Sequence, residues 1–249
     1  MLLRIALFLV LLPLALIAQA PAWLADSALE HATDGAIRLT AIEGSLWNGQ
    51  GALVAIDPQS RRALPWTTLS WRWRPQRLLQ AETAWTLTAD NRPAGEIGIG
   101  PHGWRADGLS FAAPARFLLE RIPNTFAHLG WRGDLRLESQ QWRCTWEFHC
   151  NGHFDLRWTN ASVDVLRNRT LGDYQLTTQG ETGRLHFALT TLTGDARLQG
   201  EGHWEPSGVW HFSGTIEGDP SLMQRLPAVA NQWVQPSGKP GAYRFELGG

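Results

Sequence analysis

The chain has 249 residues, with 22 Lys and Arg against 23 Asp and Glu and a formal net charge of −1. That balance excludes the basic footprint of a nucleic-acid binder, so no nucleic-acid partner is expected. Fourteen Trp, 25 Gly and two Cys point to a β-rich chain with many turns, long enough to bury a core.

The chain opens on an apolar run, Ile5 to Ala18, preceded by Arg4. A removable signal peptide and a retained anchor both fit this start. Arg4, the leucines and Ala18-Gln19-Ala20 supply the three parts of a cleavable signal. Pro21 opposes cleavage, because its ring fixes φ and removes the N–H next to the bond to be cut. From Leu2 to Leu24 a helix rising ~1.5 Å per residue is about 35 Å long, enough for a hydrocarbon core of ~30 Å. Trp23 then falls at the interface, and the kink at Pro13 is tolerable in a membrane span. The retained anchor over residues 1–24 is the expected reading. Arg4 lies before the run, whereas Asp26, Glu30 and Asp34 follow it. The positive-inside rule therefore puts the N-terminus in the cytoplasm and the remainder, 25–249, across the membrane.

Asp26 to Thr33 reads as a short helix, after which the period changes to two. Ile37, Leu39 and Ala41 alternate with polar residues, and Gly44 to Gly51 is a strand-turn region. Leu53 to Ile56 continues as a strand. Leu69, Trp71 and Trp73 alternate with Ser70, Arg72 and Arg74, a half-buried strand. Pro75 ends it, and Gln76 to Gln80 reads as a helical turn. Trp85 to Ala89, Ile97 to Ile99 and Leu109 to Phe111 are further short strands. Ala115 to Leu129 has a helical face, Leu118, Leu119, Ile122 and Phe126, interrupted by Pro123. Alternation returns at Leu135 and Leu137, and again at Phe154, Leu156 and Trp158. Val163 and Val165 start another segment, followed by strands at Leu185 to Leu189, Ala196 to Leu198 and Trp210 to Ile216. Asp219-Pro220 caps a predicted helix carrying Leu222, Leu226, Val229 and Trp233. Ala242 to Leu247 is a last strand. The fold class expected is mainly β: an antiparallel meander curled into a sheet or groove, with one or two short helices besides the leader.

Cys144 and Cys150 sit between two alternating segments. In an oxidising compartment they pair, stapling a hairpin near its tip and contributing on the order of 2 kcal/mol through the short loop. Cys144, His149, Cys150 and His153 are also zinc-ligand types, but adjacent His149 and Cys150 point to opposite faces of a strand, and no metal site is expected. No Gly-x-Ser-x-Gly, phosphate-binding Gly-rich loop with Lys or His-Glu-x-x-His occurs, so neither a catalytic residue nor a cofactor is expected. Trp71, Trp73, Trp85, Trp158 and Trp210 lie on the apolar phase of their strands and read as core rather than groove lining. The Arg72 and Arg74 pair reads as a solvated strand face. The sequons at Asn160 and Asn168 carry little weight.

An ordered set of landmarks goes further. It comprises the N-terminal anchor, Gly44-Ser45-Leu46-Trp47-Asn48-Gly49, Leu64-Pro65-Trp66, Leu69 to Pro75 and Leu78-Leu79. Cys144 and Cys150 follow, then Leu171-Gly172-Asp173-Tyr174, Gly200-Glu201-Gly202, Trp210 to Gly214 and Gly241 to Phe245. The set resembles the type II secretion system protein N family, inner-membrane proteins with a periplasmic domain, over nearly the whole chain. The resemblance implies a non-enzymatic accessory component of protein secretion. Its implied partners are other inner-membrane subunits of the machine, and the inner membrane itself through residues 2–24. The family is similar to the AsmA-like group, whose sheets curl into grooves, so a lipid-binding or lipid-transfer groove is the alternative it implies.

Overall fold

A computed structural model gives the fold and describes residues 11–12, 15–56, 62–119, 130–164, 170–181, 183–219 and 234–248. The chain divides into two compact units, Met1–Glu96 and Ile97–Gly249.

Unit 1 holds α1 (Trp23–Ala32), β1 (Ile37–Gly44), β2 (Asn48–Ile56), β3 (Ala63–Trp73), a 3-10 helix (Pro75–Gln80), β4 (Thr83–Ala89) and the first half of β5 (Arg92–Gly100). Consecutive strands are neighbours, and β1 to β4 pair antiparallel. Alternation decides the faces. Leu39, Leu53, Leu69, Trp71, Trp73, Trp85 and Leu87 share one side, whereas Thr40, Ser70, Arg72, Thr86 and Thr88 share the other. Buried Leu39, Leu53, Trp71 and Leu87 form the core of that apolar side. Asp90 and Asn91 close the β4–β5 hairpin with φ of 47° and 63°. Two positive φ values define the turn whose twist matches its strands. Pro75 opens the 3-10 helix, where its missing N–H costs no internal bond, and Ala81 ends it in a left-handed conformation.

The helix expected over Asp26 to Thr33 runs instead from Trp23 to Ala32. It starts earlier because Pro21 and Ala22 already present their carbonyls to Leu24 and Ala25. Residues 11–12 and 15–18 are helical, but the helix expected to run unbroken from Leu2 to Leu24 is interrupted at residues 19–22, where Pro21 pairs with Ser45; residues 1–10 and 13–14 lie outside the described residues. Among the described residues no helix is long and apolar enough to cross a membrane.

Unit 2 holds β6 (Gly103–Pro114), α2 (Ala115–Leu119), β7 (Trp131–Thr145), β8 (Cys150–Val163), β9 (Thr170–Glu181), β10 (Arg184–Thr193), β11 (Ala196–Trp204), β12 (Trp210–Gly218), β13 (Val234–Pro236) and β14 (Ala242–Gly248). The strand order is sequential from β6 to β12, after which β14 inserts between β12 and β13. The edge strand β13 is three residues long and ends on Pro236. A short, proline-bearing edge offers few free backbone groups to another chain.

Register makes the sheet of unit 2 two-sided. One row reads Phe111, Leu137, Leu156, Leu176, Leu189, Gly200, Gly214, Phe245 and Val234 from β6 across to β13. A row from the other face reads Ser110, Glu138, Asp155, Thr177, Ala188, Glu201, Ser213 and Glu246. The period of two thus sorts the whole sheet into an apolar face and a polar face.

The predicted stapled hairpin is present. Cys144 and Cys150 face each other across β7 and β8 and are bonded, with their Cα atoms 4.0 Å apart. Val163, expected to begin a segment, is the last residue of β8. A bulge between Trp158 and Ala161, with Asn160 at φ 52°, resets the alternation and prolongs the strand. The helix expected after Ala115 is present as α2 up to Leu119. Its continuation to Leu129, the predicted helix over 220–233, Val165 and the sequon residue Asn168 lie outside the described residues.

Candidate functional site: the tryptophan clamp and the glycine-floored face

The Gly44 to Gly49 landmark is the β1–β2 turn, and it is clamped from three sides. Gly44 adopts φ 89°, a conformation open to glycine because it has no Cβ. Ser45 N–H then donates to the Asn48 carbonyl at 2.8 Å. The indole N–H of Trp71 is shared between the carbonyls of Ser45 and Leu46, at 3.1 Å each. Trp85 Nε1 donates to the same Leu46 carbonyl at 3.0 Å. The ring of Trp71 lies on Gly49, where an added Cβ would come within 2.6 Å of Trp71 Cζ2. Trp47 stacks on Trp85 at 6.3 Å and tilts against Trp73 at 4.9 Å.

The same turn holds the segment that follows the apolar run. Leu46 N–H donates to the Ala20 carbonyl at 2.8 Å, and Trp47 Nε1 donates to the Ile17 carbonyl at 2.8 Å. Pro21 bridges Ser45, while Ala20 and Ala22 are buried. The would-be cleavage point after Ala20 is therefore a structural joint.

A second tie fixes α1 to β1. Arg38 donates through Nε and Nη2 to the two oxygens of Asp26, at 3.0 and 2.6 Å, and Leu39 N–H donates to Asp26 Oδ1 at 2.7 Å. Glu30 adds a 3.0 Å contact to Arg38. The Arg38 hydrogen bonds, helped by Leu39 N–H and the guanidinium charge, hold the Asp26 carboxyl below its usual range against the opposing effect of burial. Charges expected to set membrane orientation also lock the helix to the sheet.

The landmarks of unit 2 are structural as well. Asp173 Oδ1 accepts from Asn160 N–H at 2.7 Å, and Asp173 Oδ2 accepts from the Thr193 hydroxyl at 3.0 Å. The buried Tyr174 hydroxyl donates to the Ala196 carbonyl at 2.9 Å, and burial pushes its pKa up. Leu171-Gly172-Asp173-Tyr174 thus joins β8, β9, β10 and β11. Gly202 and Gly214 form a floor: a Cβ at Gly202 would meet Phe212 Cδ2 at 2.6 Å, and one at Gly214 would meet Phe245 Cζ at 2.6 Å. The two phenylalanine rings stack at 5.7 Å over this floor, covering backbone that glycine leaves bare.

The expected tryptophans divide. Trp71 is buried, Trp73, Trp85 and Trp158 are half-buried, and Trp210 is exposed. Arg74 and Arg77 both reach Glu96, at 3.6 and 3.1 Å, so Arg74 is paired rather than merely solvated. The sulfurs of Cys144 and Cys150 are bonded to each other, and His153 faces Asp155 at 3.0 Å. Sequence reasoning missed the clamp, although Trp47 inside a glycine-bounded turn was its signal. It also missed the exposed ring pair Trp146 and Phe148 at the tip of the stapled hairpin.

The class these features define is a scaffold of antiparallel strands whose ordered landmarks are joints between strands and between the sheet and its N-terminal segment. A family model described as Type II secretion system (T2SS), protein N matches residues 35–246, and the chain belongs to that family. Type II secretion system protein N of Aeromonas hydrophila is 26% identical over 209 residues, covering 82% of this chain and 81% of that protein. No solved structure matches the chain.

Two outcomes follow. Gly49→Ala forces the Trp71 ring off the turn and costs about 1–3 kcal/mol, as overpacking does; a thermal melt lowered by several degrees checks it. Asp26 has a depressed folded pKa, so its stabilisation is present above the unfolded value near 4 and is lost as pH falls through the folded value. Acid unfolding of the wild type should therefore include a component below about pH 4 that Asp26→Asn lacks, and that variant should lose about 1–3 kcal/mol at neutral pH.

Proposed function

We propose that this secretion-system protein is an inner-membrane accessory component that works by protein contact rather than catalysis. Residues 2–24 stay attached: the apolar run up to Ala18 is a single anchor with a cytoplasmic N-terminus, and residues 19–24 are its joint with the sheet. Residues 25–249 stand in the periplasm and support export of folded proteins across the outer membrane together with other inner-membrane subunits. Membership of the secretion family supports the role, and the clamp supports the retained anchor. Cleavage after Ala20 would remove Ile17, the partner of Trp47, and cut the chain where Leu46 and Ser45 hold it.

Contact with a partner subunit has a candidate surface in unit 2. Trp146 and Phe148 are 52% and 61% exposed on the hairpin that the disulfide rigidifies. Aromatic rings on a pre-ordered tip lose little entropy on docking, which suits them as anchor residues. Deleting the gene should leave secreted proteins in the periplasm, and Trp146→Ser with Phe148→Ser should reproduce the defect at normal protein level. Unchanged secretion in the deletion strain would remove the role altogether.

One observation favours a second reading, an AsmA-like lipid-binding groove. The row Phe111, Leu137, Leu156, Leu176 and Leu189 is only half-buried, so a continuous apolar track is open to a chain-like ligand. Mass spectrometry of lipids retained by the purified protein tests it: Leu156→Asp should deplete them, and equal retention by wild type and variant would count against the groove.

A further inference from the structure

The 3-10 helix Pro75–Gln80 carries Leu78 and Leu79, which are 51% and 92% exposed. Leu79 is more exposed than Leu16 of the apolar leader, at 66%. Scattered surface leucines need no explanation, but this pair occupies a particular place. Strands β1 to β4 pair antiparallel, so the β1–β2 turn and the β3–β4 connection lie at the same end of the sheet. That end is where the leader joins the fold, through Ile17 and Ala20. Trp47 links the two directly: its indole holds the leader, and its carbonyl accepts from Trp73 N–H at 2.7 Å, two residues before the helix begins.

We propose that Leu78 and Leu79 form a second membrane contact, dipping into the interface of the bilayer that holds the anchor. The proposal rests on the retained anchor and extends it. A six-residue turn cannot span a bilayer, but it can lie in the interface with its apolar side chains among the upper acyl carbons. The local chemistry suits that depth. Arg74 and Arg77 precede the leucines and remain partly exposed beyond their pairing with Glu96. Their stems can lie along the apolar layer while the guanidinium groups meet lipid phosphates. Two contacts at one end of the sheet hold unit 1 at a set tilt on the membrane, where a single helix would let it swivel.

The native cysteines are paired and no other cysteine is free, so an introduced cysteine is a unique labelling site. Full-length protein carrying Leu79→Cys, Leu16→Cys or Asn91→Cys is labelled with an environment-sensitive fluorophore. It is then reconstituted in bilayers of phosphatidylethanolamine and phosphatidylglycerol that contain nitroxide-bearing lipid. Leu79 is 92% exposed, so its replacement disturbs no packing, and Asn91 lies in the turn at the opposite end of the strands. Labels at 16 and 79 should be quenched at least about twofold more than the label at 91, with the reverse order for a water-soluble quencher. Quenching at 16 with an aqueous signal at 79 overturns the second contact and leaves the anchor standing. An aqueous signal at 16 overturns the anchor and this proposal with it.

Discussion

One residue, Leu46, ties the leader junction to strands β3 and β4 through both of its backbone polar groups. Its N–H is bonded to Ala20 and its C=O to the indoles of Trp71 and Trp85. Both of its polar groups must be satisfied because the turn is wrapped by aromatic rings. Through them the leader junction, the first hairpin and strands β3 and β4 share one residue. Hydrogen bonds of this kind contribute roughly 1 kcal/mol each, but leaving one buried group unpaired costs more than its bond adds. Displacing the leader junction breaks the Leu46 N–H and Trp47 indole bonds together.

The same economy of small residues under large rings recurs in unit 2. Gly49 lies beneath Trp71 in unit 1; Gly202 and Gly214 lie beneath Phe212 and Phe245 in unit 2. Strand glycines weaken a sheet unless something covers the bared backbone, and here aromatic rings cover it. At these positions the ring takes the space that a side chain on the glycine would need. The row from Phe111 to Leu189 is half-open, which is where the contact reading and the lipid reading part.

Much of the fold was legible in the sequence. The alternation of Leu69, Trp71 and Trp73, and of Phe154, Leu156 and Trp158, gave the strands and their faces directly, because a period of two has one structural meaning. The stapled hairpin was legible because two cysteines flanked by alternating runs leave one economical pairing. The landmarks also pointed to the family. What escaped was set by tertiary contact. The bulge at Asn160 made β8 run on to Val163, and no local pattern announces a bulge that Asp173 stabilises from the next strand. The earlier start of α1 follows from Pro21 being held by Ser45. The clamp itself joins residues 17, 46, 71 and 85, and periodicity does not register pairings so far apart. Asp26 was read only as part of a charge bias across the membrane, and its bond to Arg38 escaped because the two lie on different elements.

The central claim is that the apolar N-terminal segment remains part of the finished molecule because the sheet is built around its junction. Intact mass of the protein purified from its native membrane tests this most directly. A species that retains residues 2–24, extracted only by detergent, is the predicted result. A mature species beginning at Pro21 and released without detergent would contradict it.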